Sequence, residues 1–148
     1  MCSSDLRHAA VLLDHRADAT GDSMTIELKA AYPSEADLAT LKRTVVLHRD
    51  APRGWVEVVD EIGFVSQSGQ CDSVITTFAS VEVGSSAAII RGEKGSLRIS
   101  FDPTIVTAHI EVEKNVDLAL GAADVNCLIF AFKQPVREGT IRLMIEPA

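Results

Sequence analysis

Lys42-Arg-Thr-Val-Val-Leu-His-Arg49, Asp50-Ala-Pro-Arg-Gly54 and Trp55-Val-Glu-Val-Val-Asp60 form the stretch on which the fold turns. Leu41, Arg43, Val45 and Leu47 alternate with Lys42, Thr44, Val46 and His48, the period of a half-buried strand. The middle segment joins Pro and Gly to Asp and Arg, which marks a turn. Trp55 to Asp60 then returns as the partner strand. The reading here is strand, tight turn, strand.

The same alternation extends outward in both directions. Upstream, Met24, Ile26, Leu28 and Ala30 face one way, and Thr25, Glu27 and Lys29 the other. Tyr32-Pro33 ends that strand, because proline removes a ladder donor. Ser34-Glu-Ala-Asp37 reads as one short helical turn, with Ser34 as cap and Asp37 in the box position. Downstream, Gly63 to Gln70 reads as a polar loop. Strand-like runs resume at residues 73–83, 87–91 and 96–101, and Gly92-Glu-Lys-Gly95 makes a hairpin turn between the last two. Val106, Ala108, Ile110 and Val112 share a face in 104–113. Residues 126–133 are nearly all apolar, as in a central strand covered on both sides. Ile141, Leu143 and Ile145 alternate with Arg142, Met144 and Glu146 near the end. Only 115–124 is ambiguous, fitting either a strand or a helical turn. The sum is an all-β antiparallel sandwich of roughly nine to ten strands with one short helical turn.

Composition agrees. The chain has 148 residues, 47% of them apolar, with five Phe, one Tyr and one Trp, so the core must be mostly aliphatic. A chain of this length buries roughly 68–70% of its unfolded surface, enough for a core without staples. The net charge of −7, from 14 basic and 21 acidic residues, argues against nucleic acid, whose binding rests on neutralising phosphates. No run approaches the ~20 apolar residues of a membrane-spanning helix. Cys2, Cys71 and Cys127 fit no zinc spacing; a Cys71–Cys127 disulfide and two buried free thiols both remain open. Met1-Cys-Ser-Ser-Asp-Leu6 translates like a common sequencing adaptor. Residues 1–6 are therefore set aside as a scar, with residues 7–148 as one β-sandwich domain and Met1 not the native start.

Few residues carry chemistry. Lys42, Arg43, Arg49 and Arg53 make one basic island, opposed in sequence by Asp50 alone. Trp55 lies beside it and Tyr32 is the only tyrosine. These nominate Arg43, Arg49, Arg53, Trp55 and Tyr32 as substrate-binding candidates, although packing and salt bridges account for such residues more often. A tyrosine before proline at a strand end ordinarily packs its ring on the rim and bonds its hydroxyl to backbone. His8, His15, His48 and His109 form no His-x-His pair, so no metal site is expected, and His48 and His109 are expected on exposed or rim positions. Asp60 and Glu61 cannot act as a carboxylate pair, because consecutive strand residues face opposite ways. Asp60 is expected to accept hydrogen bonds from loop amides or from Arg43. Gly84-Ser-Ser lacks a nucleophile-elbow spacing.

The ordered pieces Ala31-Tyr32-Pro33, Arg43-Thr-Val-Val-Leu47, Arg49 and Val58-Val-Asp60, with Thr77-Phe78 and Ser96-Leu-Arg-Ile-Ser100 behind them, resemble the C-terminal β-sandwich of heparinase II/III-like polysaccharide lyases. The resemblance spans roughly residues 9–148. It implies a large bacterial enzyme, periplasmic or exported, that cleaves uronic-acid-containing polysaccharide by β-elimination. In that family an α-helical toroid supplies the Asn or Glu, Tyr and His of the reaction, and metal-binding strands precede the region seen here. His8-Ala9-Ala10 does not reproduce the family's His-Asn-Thr, so no metal role transfers to it. The expectation is a non-catalytic supporting module with no catalytic residue, metal or cofactor of its own. Its expected partners are the toroid of the same protein and an acidic polysaccharide. A free-standing carbohydrate-binding or adhesion sandwich is the alternative, and a homodimer interface module a third reading.

Overall fold

The computed structural model describes residues 9–119 and 121–148; the expected scar at 1–6, with Cys2 and His8, lies outside them. Eleven strands follow one another: β1 Val11–Ala17, β2 Gly21–Glu27, β3 Leu38–His48, β4 Trp55–Phe64, β5 Ser73–Thr77, β6 Ser80–Val83, β7 Ala87–Gly92, β8 Gly95–Ser100, β9 Val106–Leu118, β10 Gly121–Phe132 and β11 Glu138–Pro147. They form two antiparallel sheets. One has eight strands in the order β1-β2-β3-β4-β11-β8-β7-β6, and the other has three in the order β5-β10-β9. The all-β architecture is the expected one.

The core lies where the small sheet covers the middle of the large one. Leu41, Ile62, Ile99, Ile141 and Leu143 from the large sheet meet Val106, Leu128, Phe130 and Phe132 from the small one. Phe130 is fully buried, and its ring meets Phe101 edge-on with centroids 5.5 Å apart. Every residue of β1 is exposed, because three strands cannot cover eight. Of the expected central run 126–133, residues 126–132 do lie in a central strand, between β5 and β9, but the face that joins the core is that of Leu128, Phe130 and Phe132 rather than both.

Local departures from the sequence reading have physical causes. The strand expected to run to Ala30 stops at Glu27, and Lys29–Ala31 forms a 3-10 turn. The Glu27 carboxylate accepts from the Lys29 amide at 3.0 Å and draws the chain around. A second 3-10 turn covers Ser34–Ala36, so the described residues contain two helical turns rather than one. Ser34 does not cap it. Pro33 stands at that place with no side-chain cap bond, and the Asp37 carboxylate turns instead to the Ser66 amide and hydroxyl, both at 2.9 Å. β4 continues through Gly63 and Phe64, which shortens the expected loop.

The run at 73–83 is two strands, and they belong to different sheets. The chain crosses between layers at Phe78-Ala79, where the Thr77 hydroxyl accepts from the Ala79 amide at 3.0 Å and the Asn126 amide donates to the Ala79 carbonyl at 2.9 Å. Within the ambiguous 115–124 segment, residues 115–118 and 121–124 are strand. Asn115 takes a left-handed φ of 53°, and Asp124 accepts from its amide at 3.1 Å.

Candidate functional site

The β2–β3–β4 ladder decides where the candidate residues go. Ile26 pairs with Arg43 and Arg43 with Asp60, and Asp60 pairs in turn with Ile141. This row lies against the core, where Ile141 is fully buried. A charged pair inside such a row must satisfy itself, and this one does. Arg43 donates from Nε to one Asp60 oxygen and from Nη2 to the other, both at 2.7 Å, and Nη2 also reaches the Ser73 hydroxyl at 3.1 Å. Asp60 is only 3% exposed. The Asp60 hydrogen bond is the main cause that raises the Arg43 pKa further above its ordinary value, against the pull of burial.

A cavity of about 150 Å³ adjoins this pair, lined by Tyr32, Leu41, Arg43, Asp60, Cys71 and Val74 among others. Burial first, then the charges of Asp60 and Asp72, push the Cys71 thiol up, so it stays protonated near neutral pH. Tyr32 is 49% exposed, and among the described residues its hydroxyl has no hydrogen-bond partner, contrary to the expected bond to backbone. Cys71 and Cys127 are free thiols. Cys71 packs against the core, whereas Cys127 lies on the face of β10 opposite Leu128.

The other three candidates sit elsewhere. Arg43 and His48 are five residues apart on one strand, about 17 Å at the usual rise. Arg49 follows directly and staples the β1–β2 turn, with Nη2 on the Asp22 carboxylate and Nη1 on the Asp18 carbonyl at 3.1 Å. Trp55 pairs with His48 across the hairpin, and their rings stack with centroids 3.7 Å apart and planes 6° apart. One face of the indole is therefore already covered. Arg53 occupies the exposed turn, and no ion pair involves it among the described residues. The His48 Nε2 is buried without a partner. His109 lies on the small sheet with Glu111 at 3.6 Å.

The basic island of the sequence is thus divided. Lys42 has Glu61 at 3.8 Å, Arg43 has Asp60 and Arg49 has Asp22, whereas the exposed Arg53 has no ion pair among the described residues. The sequence left Asp60 to loop amides or to Arg43, of which the structure shows Arg43, and it missed Ser73, which arrives from 30 residues away. It also missed the His48 stack, in which the last residue of β3 meets the first of β4 across the hairpin.

This arrangement can hold and brace more readily than it can move a proton. A general base must reach its proton at hydrogen-bond distance, and both Asp60 oxygens already accept from Arg43. No group of three His, Cys, Asp or Glu among the described residues could hold a metal ion.

Comparison with known proteins now bears on this layout. Solved heparan sulfate lyases contain this fold. A mutant heparan sulfate lyase from Pedobacter heparinus superposes with a TM-score of 0.72 at 12% identity, over 93% of this chain and 21% of its own. Two heparinase III structures give 0.68 at 13% identity and 0.66 at 14%, over 94% and 95% of this chain and 21% of theirs. This chain therefore spans about a fifth of the length of the solved proteins it matches. No protein family matches it by sequence, and no curated protein does.

Proposed function

We propose that this chain is a non-catalytic supporting module of a heparinase II/III-like polysaccharide lyase, whose reaction centre lies on a part of the protein outside these residues. The observation that carries the reading is the match over nearly all of this chain and a fifth of the lyase chains. The self-neutralised Arg43–Asp60 pair and the divided basic island support a bracing role. The partner would be an α-helical toroid of the same polypeptide, and the parent's substrate an acidic polysaccharide. Contact with such a polymer would fall to Arg53, with Arg49 and Trp55 beside it. Arg43 and Tyr32, at the other end of the ladder, would serve packing instead.

The test is direct. Residues 1–148 are purified and incubated with heparin, heparan sulfate and alginate, and unsaturated uronates are followed by ultraviolet absorbance. No new absorbance is expected, whereas the product of the complete gene should produce it. Absorbance from the short chain alone defeats the non-catalytic reading. An intact gene that encodes no further domain leaves the free-standing carbohydrate-binding sandwich in its place.

A further inference from the structure

One edge inside the large sheet is open. In an antiparallel ladder both main-chain groups of a residue point to the same side, and successive residues point to opposite sides. The Phe64 amide donates to the Arg137 carbonyl at 2.9 Å, so residues 139, 141, 143 and 145 bond to β4. The Ala148 amide donates to the Ser96 carbonyl at 2.9 Å, so residues 144 and 146 bond to β8. The groups of Glu138, Thr140 and Arg142 point the same way as these. Yet pairing with β8 stops at Met144–Ser100, and no described strand continues it.

The reason lies in the chain after β8. The Phe101 amide stays on the β7 side and donates to the Ser86 carbonyl, Pro103 has no amide to give, and the carbonyl of Asp102, the residue next due to face β11, accepts from the Val106 amide as the chain crosses to the small sheet. The two segments splay and leave a wedge of about 470 Å³ between β11 and the Ile105–Lys133 side. Its floor is Phe132, and Ile105 is 46% exposed beside it. Three main-chain positions on alternate residues, above an apolar floor, match an extended strand with an apolar side chain turned inward.

We propose that this open edge receives a short β-strand from the part of the full-length polypeptide outside these 148 residues, an inference that rests on the module reading above. A ladder of so few rungs is weak for a free peptide. Tethering raises the effective concentration to the millimolar range and makes it sufficient. Most of the length of the matched lyases lies outside the matched region, so ample chain exists to supply the strand.

Amide hydrogen exchange, resolved to single residues, compares the 148-residue chain with the product of the complete gene. The Thr140 and Arg142 amides are expected to slow at least tenfold in the longer protein, while Ile141 and Leu143 are protected in both. Thr140→Pro deletes an edge donor only; it should lower the Tm of the longer protein and leave that of the short chain unchanged. Equal exchange in the two proteins, or equal Tm shifts, overturns the proposal while leaving the module reading intact. Slowing that requires added heparan sulfate oligosaccharide also overturns it, in favour of a sugar in the wedge. A gene with no further coding sequence removes the reading and the proposal together.

Discussion

Arg43 clamps Asp60 through two parallel hydrogen bonds of 2.7 Å across the β3–β4 pair, with Asp60 almost wholly removed from solvent. Fork-to-fork geometry of this kind is the strongest form of charge-assisted hydrogen bond. Its worth is best seen by breaking it. Arg43→Ala leaves a buried carboxylate unpaired and is expected to cost about 3 kcal/mol, near the lower end for such losses because the guanidinium keeps some solvent contact. The double variant Arg43→Met/Asp60→Leu should recover most of that. Urea midpoints of the three proteins check it; a single variant as stable as the parent would show that the clamp is unimportant.

The core makes a second demand. Phe130 is fully buried and edge-on to Phe101, so Phe130→Ala removes both contact area and an aromatic pair. A loss of about 3–5 kcal/mol is expected, measured by denaturant unfolding.

Gly139 is small for a packing reason. A Cβ there would stand 2.7 Å from the Phe132 Cζ, and a buried ring cannot retreat far. Gly139→Ala should destabilise by about 1–3 kcal/mol, whereas alanine at the open Gly95, where no atom lies within 4 Å of the added carbon, meets only the backbone cost of its positive φ. Comparing the two Tm shifts separates steric from conformational cost.

Acid should loosen the turns first. The Ser66 amide, then its hydroxyl, holds the Asp37 carboxyl below its ordinary 3.8. A depressed folded pKa contributes stability that is complete above the unfolded value and lost as pH falls through the folded one. Asp37→Asn keeps a residue that tolerates the left-handed φ of 55° but removes the charge. Its Tm deficit should be largest near neutral pH and shrink as pH falls below 3.8. A deficit independent of pH would place the effect outside this carboxylate.

Trp55 is the only tryptophan, so fluorescence reports on one hairpin. His48→Ala removes the stacked ring and should shift the emission to the red, with a cost of about 0.5–1.5 kcal/mol. Unchanged emission would mean that the imidazole does not shield the indole.

Much of this molecule was legible in one dimension. The alternation of Leu41, Arg43, Val45 and Leu47 marked a strand with Arg43 on its apolar face, and the turn at 50–54 paired it with Trp55–Asp60. These left Asp60 with two candidate donors, loop amides and Arg43, and the register of the two strands chose Arg43. Between 73 and 83 the same signal misled, since alternation persists through a sheet change: Ser73 and Val83 belong to strands of different layers.

The sequence by itself determined the strand periods, the hairpins and the sign of the faces, because these depend on neighbours along the chain and on a side-chain direction that repeats every two residues. Tertiary structure alone decided that three strands cover eight, that Ser73 completes the Arg43–Asp60 clasp, that Arg49 is spent on Asp22, and that β11 is left with an unpaired edge beside a wedge. Those outcomes depend on which distant strands lie side by side, and the free energy that selects them comes from burying one face against another, a quantity that no local pattern contains.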